Sequence, residues 1–315
     1  MLNARIKLRH LMAFLEVAKR RSFARAAEAL AITQPGISKA IRELEEILEA
    51  PLFERTSQGV SLTQAGLTLL RHAGPAIRAL DEGVSAIGDA HRGGRWLRVG
   101  ALSTVESRLL PVAIQRWHTA APPGQGDTSV SVVTGASAYL LSRLRLGELD
   151  MVVGRMTEAR EIGDLYFEHL YYEPLVIVAR KEHPLAHVTP VTADQLVAYP
   201  WALPPPQTTL RQQVDSFCVR HAIKLPPRLL ETLSLPVSYR YTLESDALWI
   251  APREAVAEEL EKGQLVKVAL PFEAHGGSVG ICTNASMETS LPREAFCETL
   301  RQVAAERIQP RSQKP

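Results

Sequence analysis

The chain has 315 residues, of which 46% are hydrophobic and 22% charged, a composition typical of globular proteins and unlike that of disordered or collagen-like chains. No apolar run approaches the roughly eighteen residues of a membrane span. The N-terminus lacks a small-residue cleavage site, so we expect a cytoplasmic protein. Three distant cysteines, Cys218, Cys282 and Cys297, have no metal-ligand spacing. We therefore expect reduced thiols, no metal site and no cofactor.

The net charge of +2 hides a strong asymmetry along the chain. Residues 1–42 contain nine Lys or Arg residues against two acids, a net charge of +7, whereas residues 43–92 contain four against eight, a net charge of −4. A positive field at one end indicates a polyanionic partner. A solvated basic helix surface is the alternative, and the motif within the segment has to decide between them.

The first part of the chain has the pattern of three helices. Apolar residues from Leu8 to Ala18 recur at steps of three and four. Ser22 can cap a short Ala-rich helix that ends near Ala31, and Thr33 can cap a third helix with Pro35 in its first turn. A gap of about three residues between the two short helices is the spacing of a helix-turn-helix, whose second helix enters the major groove of DNA.

The outward positions of the predicted third helix are side chains that can hydrogen-bond base edges or phosphates. Two short β-like runs around a Gly turn follow and predict a wing. In this wing Arg55 is a phosphate contact or, alternatively, forms an internal salt bridge with Glu54 or with an acidic residue of a helix. We predict that a winged helix-turn-helix domain over residues 1–62 binds DNA through Thr33, Gln34, Pro35, Ser38, Lys39, Arg42 and Arg55.

A long amphipathic helix is predicted over residues 63–92, ending before Gly93 and Gly94. A helix of about 28 residues would span about 42 Å, which suits the pairing of two chains. A symmetric dimer is also the usual form in which a helix-turn-helix binds DNA. A single amphipathic connector is the alternative. The apolar residues of the helix recur at intervals of three and four and form a heptad seam. They are Leu70, Ala73, Ile77, Leu80, Val84 and Ile87.

From residue 95 onward, strands and helices alternate, which predicts an α/β domain over residues 95–310. We expect one subdomain at about 95–165 and 271–305 and a second at about 166–270. Strands that cross between two such units leave a cleft, and open α/β sheets bind ligands at the carboxyl ends of their strands. The predicted fold is thus a winged helix-turn-helix, a linker helix and a two-subdomain α/β domain.

Hydroxyl side chains at helix starts predict a site for a carboxylate in this cleft. Ser103 and Thr104 follow a strand and open a helix, where free backbone N–H groups favour an anion. An ordinary N-cap is the alternative for each residue alone, and surface exposure is the alternative for Thr232. Arg155 can neutralise an acid or form a structural ion pair. The predicted ligand site comprises Ser103, Thr104, Thr134, Gly135, Ser137, Pro204, Thr208 and Thr232.

Several segments resemble a known family, the LysR-type transcriptional regulators, over nearly the whole chain. They are Ser22-Phe23-Ala24-Arg25-Ala26-Ala27, Thr33-Gln34-Pro35-Gly36-Ile37-Ser38-Lys39, Pro51-Leu52-Phe53-Glu54-Arg55, Leu62-Thr63-Gln64-Ala65-Gly66, Gly147-Glu148-Leu149-Asp150 and His183-Pro184-Leu185. The resemblance implies an effector domain similar to periplasmic binding proteins. It also implies promoter DNA, a small organic acid effector and a homodimer or homotetramer as partners, and leaves RNA polymerase open. Gln34, Pro35, Ser38 and Lys39 match positions that contact DNA in the family.

Within that family, three segments look most like the branch that controls protocatechuate catabolism. They are Val99–Val105, Leu149–Arg155 and Glu244–Ile250. This resemblance implies an effector that is an aromatic-pathway acid, such as a carboxymuconate. A sugar acid or another small metabolite is the alternative.

The sequence disfavours two other classes of protein, enzymes and solute-binding proteins. Cys218 with His221, and Cys297 with Glu298, are nucleophile-like neighbours without an orienting third group in sequence, so we predict that the chain is not an enzyme. A solute-binding protein would share the cleft. It would lack the basic N-terminal region and would need an export signal.

Overall fold

The computed structural model describes residues 5–56, 59–88, 96–120, 128–156, 162–270, 277–287 and 290–308. The chain divides into two compact units. Unit 1 comprises Met1–Arg95, Ser142–Asp150 and Asn284–Glu288, and unit 2 comprises Trp96–Leu141, Met151–Thr283 and Thr289–Pro315. Unit 1 therefore contains two short segments from the later part of the chain. The predicted domain boundaries at residues 62, 92 and 95 stay predictions.

Unit 1 begins with three helices, α1 (Leu8–Arg20), α2 (Phe23–Ala29) and α3 (Gln34–Leu48). The predicted caps are confirmed: Ser22 Oγ accepts from the Arg25 N–H at 3.4 Å, and Thr33 Oγ1 accepts from the Gly36 N–H at 3.2 Å. These caps satisfy backbone donors that have no partner within the helix. The apolar face of α3 packs with α1 and α2 in one core, as the periodicity predicted.

The predicted wing is a two-stranded antiparallel sheet of β1 (Phe53–Thr56) and β2 (Gly59–Leu62). It leads into the long helix α4 (Gln64–Gly88). Thr63 Oγ1 accepts from the Gly66 N–H at 3.0 Å and so caps α4. Gly93 and Gly94, predicted to end this helix, lie outside the described residues.

The structure corrects the prediction that the whole apolar seam of α4 faces another chain. Leu70 and Ala73 are buried in the core of unit 1, which also includes Leu146. The backbone approach there is tight, since a Cβ on Gly74 would lie 2.5 Å from the Leu146 carbonyl oxygen. Leu80 and Val84, farther along α4, are 57% and 70% exposed. Leu80 and Val84 are thus the seam positions that the structure shows as exposed in this chain.

Unit 2 is built of alternating strands and helices. The strands are β3 (Trp96–Ala101), β4 (Ser129–Thr134), β5 (Met151–Met156), β6 (Tyr166–Glu173), β7 (Leu175–Arg180), β8 (Trp201–Leu203), β9 (Leu229–Glu231), β10 (Leu248–Pro252), β11 (Leu265–Lys267) and β12 (Gly277–Thr283). The helices are α5 (Ser103–Glu106), α6 (Leu109–Ala120), α7 (Ser137–Arg145), α8 (Ala193–Val197), α9 (Thr209–Arg220), α10 (Leu235–Leu243), α11 (Ala257–Glu261) and α12 (Leu291–Ile308). One of these helices, α7, is divided, because its second half, from Ser142, belongs to unit 1.

The strands of unit 2 form two five-stranded sheets, so the predicted two-subdomain α/β fold is confirmed. Sheet I has the order β4-β3-β5-β12-β6, with β12 antiparallel to both of its neighbours, and sheet II has the order β11-β7-β10-β8-β9. Because β12 returns to sheet I after β7 to β11 have formed sheet II, the chain crosses twice between the subdomains. Each sheet has its own apolar core.

Two details of unit 2 differ from the sequence predictions. The helix predicted to open at Ser103 is a short helix, α5, and a turn separates it from the longer helix α6. No strand was predicted over β6, whose sequence YFEHLYYE mixes aromatic and charged residues. This strand lies at an edge of sheet I, where one side faces solvent and a continuous apolar run is not required. No helix of the described residues has both the length and the apolar character needed to cross a membrane.

Candidate functional site

The outward face of α3 brings most of the predicted DNA-binding residues together. Thr33, Gln34, Pro35, Lys39 and Arg42 are exposed and Ser38 is half-buried. Thr33 also caps the helix, so its hydroxyl already accepts a backbone hydrogen bond. Arg55 lies in β1, and its side chain is outside the described part of the structure. An open surface groove is lined by Pro35, Ser38, Lys39, Arg42, Glu43 and Glu46.

Three residues next to this face were not predicted. Glu43 Oε2 accepts hydrogen bonds from Arg9 Nη2 at 2.9 Å and from His10 Nε2 at 3.0 Å. Its other oxygen lies 3.9 Å from Lys39 Nζ. The hydrogen bonds from Arg9 and His10 lower the pKa of Glu43 and keep its carboxylate ionised, and the bond from Arg9 has the larger effect. The pairing joins α1 to α3, and no local sequence pattern connects residues this far apart.

Unit 2 contains a small cavity lined by residues of both subdomains. The centre of a water molecule has about 20 Å³ of space there, room for one or two waters. Five of the predicted residues line it, namely Ser103, Thr104, Gly135, Ser137 and Thr208. Its other lining residues are Leu102, Ala136, Arg155, Thr209, Leu210 and Leu233.

Three predicted ligand-site residues do not line this cavity. Thr134 is exposed at the end of β4. Pro204 is buried, and its carbonyl oxygen accepts from Arg211 Nη1 at 3.1 Å. The hydroxyl of Thr232 accepts from the Ser234 N–H at 3.0 Å, so it serves a local turn.

The hydroxyls of the cavity differ in whether their hydrogen bonds are made. Thr208 Oγ1 caps α9, since it accepts from the Arg211 N–H at 3.2 Å and donates to the Pro205 carbonyl at 2.8 Å. Ser137 Oγ and Thr209 Oγ1 lie 2.9 Å apart in a buried contact between the two subdomains. Thr104 is buried, and its Oγ1 has no hydrogen-bond partner among the residues that the structure describes. A buried hydroxyl without a protein partner is uncommon, so a group in the cavity that can hydrogen-bond to it is favoured.

Arg155 supplies the charge of the cavity wall. Its Nη2 donates to the Glu173 carbonyl at 2.8 Å and lies 3.3 Å from Glu173 Oε2, while Nη1 donates to Gln213 Oε1. Its buried Nε has no hydrogen-bond partner in the described part of the chain. The structure therefore shows the structural ion pair, one of the two alternatives from the sequence. Arg155 also lines the cavity, and its neutralising an acid there stays a prediction. A charged residue inside the apolar run of β5 was the available sequence signal.

Burial dominates the electrostatics of the Arg155–Glu173 pair. It raises the pKa of Glu173 to about 7, against the opposing effect of the guanidinium, and it lowers the pKa of Arg155. Glu173 Oε1 accepts from the Glu254 N–H at 2.9 Å, which holds the carboxyl in place. Below neutral pH, Glu173 is therefore largely protonated and no longer balances the positive charge of Arg155.

The two cysteines weighed as nucleophiles are buried. Burial raises the pKa of Cys218 and of Cys297 to about 11, so both thiols are protonated at neutral pH. Within the described residues, no group of three His, Cys, Asp or Glu side chains is placed to hold a metal ion.

Comparison with known families agrees with this organisation. A model described as "Bacterial regulatory helix-turn-helix protein, lysR family" matches residues 8–67, and one described as "LysR substrate binding domain" matches residues 90–305. The chain belongs to the LysR family of transcriptional regulators. It is a DNA-binding regulator with an effector-binding domain, and its relatives are regulators rather than enzymes.

Two relatives cover almost the same length. The transcriptional regulator PcaQ of Agrobacterium fabrum is 36% identical over 307 residues, which is 97% of each chain. The uncharacterized regulator YdcI of Escherichia coli is 36% identical over 285 residues, 89% of this chain and 90% of the relative. The crystal structure of ArgP from Mycobacterium tuberculosis, 19% identical, has a TM-score of 0.65 over 95% of this chain and 98% of that one, which shows the shared fold.

Proposed function

We propose that this LysR-family regulator binds promoter DNA through residues 1–62 and that a small organic acid bound in the cavity of unit 2 controls this binding. Residues 63–92 link the DNA-binding domain to the effector domain over residues 95–310 and pair two chains. The regulator acts as a homodimer or homotetramer. The outward face of α3 supports DNA binding, because polar and basic side chains stand exposed together on one helix.

The proposal of an acid rests on the two unsatisfied polar atoms of the cavity, Arg155 Nε and Thr104 Oγ1. A guanidinium N–H can only donate, so its missing partner is an acceptor. A carboxylate supplies acceptor oxygens and also balances the positive charge. The same oxygens can accept from the hydroxyls of Thr104 and Ser103, which open α5.

The cavity as it stands is too small for an organic acid, so binding requires its walls to separate. Ser137 and Thr209 hold the two subdomains together at this point, and a ligand between them replaces their contact. An acid that binds only the separated arrangement shifts the population toward it. The ligand then binds the separated arrangement more tightly than the closed one, and this difference in affinity is what control of DNA binding requires.

The apolar part of the wall favours an unsaturated or aromatic acid over a sugar acid. Leu102, Leu210 and Leu233 line the cavity and offer no hydrogen bonds to the hydroxyls of a sugar. The similarity to PcaQ and to the branch that controls protocatechuate catabolism supports an aromatic-pathway acid.

Calorimetry tests the chemistry of the ligand. Protocatechuate, carboxymuconate, muconate, benzoate and a sugar acid are titrated into the wild type and into Thr104→Val and Ser103→Ala. We expect an aromatic or unsaturated acid to bind, and Thr104→Val, which keeps the shape of the side chain, to weaken it. Equal affinity of wild type and Thr104→Val, or tight binding of a cation instead, would overturn the proposed site.

A second titration tests control. The acid changes the affinity for the promoter DNA by some factor, and linkage requires that DNA change the affinity for the acid by the same factor. If the acid leaves the affinity for promoter DNA unchanged, it binds without regulating, and the proposed control is wrong.

A further inference from the structure

We propose that Arg9, which lies outside the helix-turn-helix, contacts a DNA phosphate and that Glu43 is the residue that positions it. The inference rests on the proposed DNA binding by residues 1–62. It adds a phosphate contact from α1 to the contacts predicted on α3 and the wing.

The carboxylate of Glu43 connects the first turn of α1 to the outward face of α3. Glu43 lines the same groove as Lys39 and Arg42, two of the predicted DNA contacts. Its Oε2 accepts from Arg9 Nη2 at 2.9 Å. Arg9 is therefore attached to a side chain that stands among the proposed DNA-contacting residues.

His10 fixes the orientation of this carboxylate. The imidazole is buried, and its Nδ1 accepts from the Lys7 N–H at 3.3 Å. With Nδ1 accepting, the other nitrogen, Nε2, carries the ring proton and donates a hydrogen bond to Glu43 Oε2 at 3.0 Å. Arg9 Nε lies 3.4 Å from the same ring nitrogen. His10 and Arg9 therefore donate to the same oxygen, Oε2, one from a buried side chain and the other from an exposed side chain.

Arg9 itself has donors to spare. Its side chain is 60% exposed, and a guanidinium has five N–H donors in a planar fork that fits a phosphate. A long Arg side chain loses conformational entropy when a phosphate fixes it. Because Glu43 orders the side chain before DNA arrives, less entropy is lost on binding.

Stability of the fold does not explain the Arg9–Glu43 pair. His10 already joins the two helices through the same oxygen, and an ion pair this exposed contributes little to stability. A bare carboxylate on a DNA-facing surface would repel phosphates. Glu43 is instead flanked by Arg9 and by Lys39, so the cluster has a net positive charge.

The salt dependence of DNA binding tests the contact of Arg9. The affinity of the full-length protein for a random-sequence duplex is measured by fluorescence anisotropy between 50 and 200 mM salt. We expect Arg9→Ala to reduce the slope of log K against log salt by about 0.9 for each DNA-bound chain, the amount for one phosphate contact in B-DNA. The matched control is Arg116→Ala, which removes another exposed arginine paired with a glutamate, Glu306, in unit 2. A slope for Arg9→Ala equal to that of wild type would overturn the contact.

A double-variant cycle tests the positioning role of Glu43. We expect Glu43→Gln to weaken binding to the DNA upstream of the gene when Arg9 is present, and to tighten it in the Arg9→Ala background, where only the repulsion is removed. If Glu43→Gln tightens binding in both backgrounds, Glu43 repels DNA and positions nothing. Failure of the wild type to prefer its promoter over random DNA would count against the proposed function, while the slope measured on random DNA still decides the role of Arg9.

Discussion

Arg78 and Asp150, separated by 72 residues in sequence, form an ion pair inside unit 1 with 2.5 Å between Nη2 and Oδ1. Arg78 Nη1 also donates to the Gly147 carbonyl at 2.7 Å. The segment Ser142–Asp150 that carries these acceptors connects α7, which begins at the cavity residue Ser137, with β5, which contains the cavity residue Arg155. The chain therefore runs from the cavity, through a turn bound to α4, and back to the cavity.

We expect Arg78→Met to destabilise unit 1 by about 3 kcal/mol, because Asp150 then stays buried without its cationic partner. Urea unfolding followed by far-UV circular dichroism measures this loss. The double variant Arg78→Met/Asp150→Leu removes both charges, and we expect it to regain much of the stability. A double variant as unstable as the sum of the two single variants would show that the two charges do not interact.

The exposed part of the α4 seam is predicted to pair two chains. Leu80→Asp/Val84→Asp places two charges on the face formed by side chains that are 57% and 70% exposed here. We expect the mass in light scattering to fall to that of a smaller assembly. Ala79→Asp is the matched control, since it adds a charge at an exposed position on a different face of the same helix. An unchanged mass for the double variant would refute the pairing role.

Base-contacting residues on α3 are expected to affect specific binding more than general binding. Gln34→Ala should lose about 1–3 kcal/mol of affinity for the promoter DNA, because a hydrogen bond to a base edge is lost. Lys39→Ala should weaken promoter and random duplexes alike if it contacts phosphate. Gel-shift titration measures both. If both variants bind the promoter as wild type does, the assignment of α3 as the reading helix is wrong.

Binding of an acid should depend on pH through Glu173, whose pKa burial raises to about 7. An anion beside Arg155 raises this pKa further, so binding takes up a proton. We expect the affinity for benzoate to fall by about tenfold from pH 6 to pH 8, since the benzoate charge itself does not change in this window. Glu173→Gln should remove the dependence. Calorimetry at several pH values would contradict the prediction if the wild type showed a constant affinity.

The same pKa fixes the sign of the effect on stability. The folded-state pKa of Glu173 lies above the ordinary value of 4.5, so the folded state binds more protons than the unfolded state between these two values. The contribution of Glu173 to stability therefore falls as pH rises from about 4.5 to 7. Comparing the wild type with Glu173→Gln across this window isolates the contribution.

The sequence alone determined the features of this protein that depend on residues close together in the chain. Ser22 and Thr33 cap the helices that were assigned to them, because an N-cap depends on residues only three positions apart. The spacing of α2 and α3, the wing and the alternation of strands and helices are local for the same reason. The acidic and basic balance of the first residues pointed to a polyanion without any knowledge of the fold.

Tertiary structure decided what depends on residues distant in sequence. The periodicity of α4 does not show that Leu70 and Ala73 pack within their own chain, because only the folded structure brings Leu146 into the same core. Likewise, only the folded chain brings Glu43 to Arg9. Unit 2 folds Thr104 and Arg155 around one cavity, while Thr134 and Thr232, equally plausible as hydroxyls after strands, lie elsewhere. Helix caps and periodicity are fixed over a few residues, whereas ion pairs and cavities arise from packing between segments that sequence spacing does not relate.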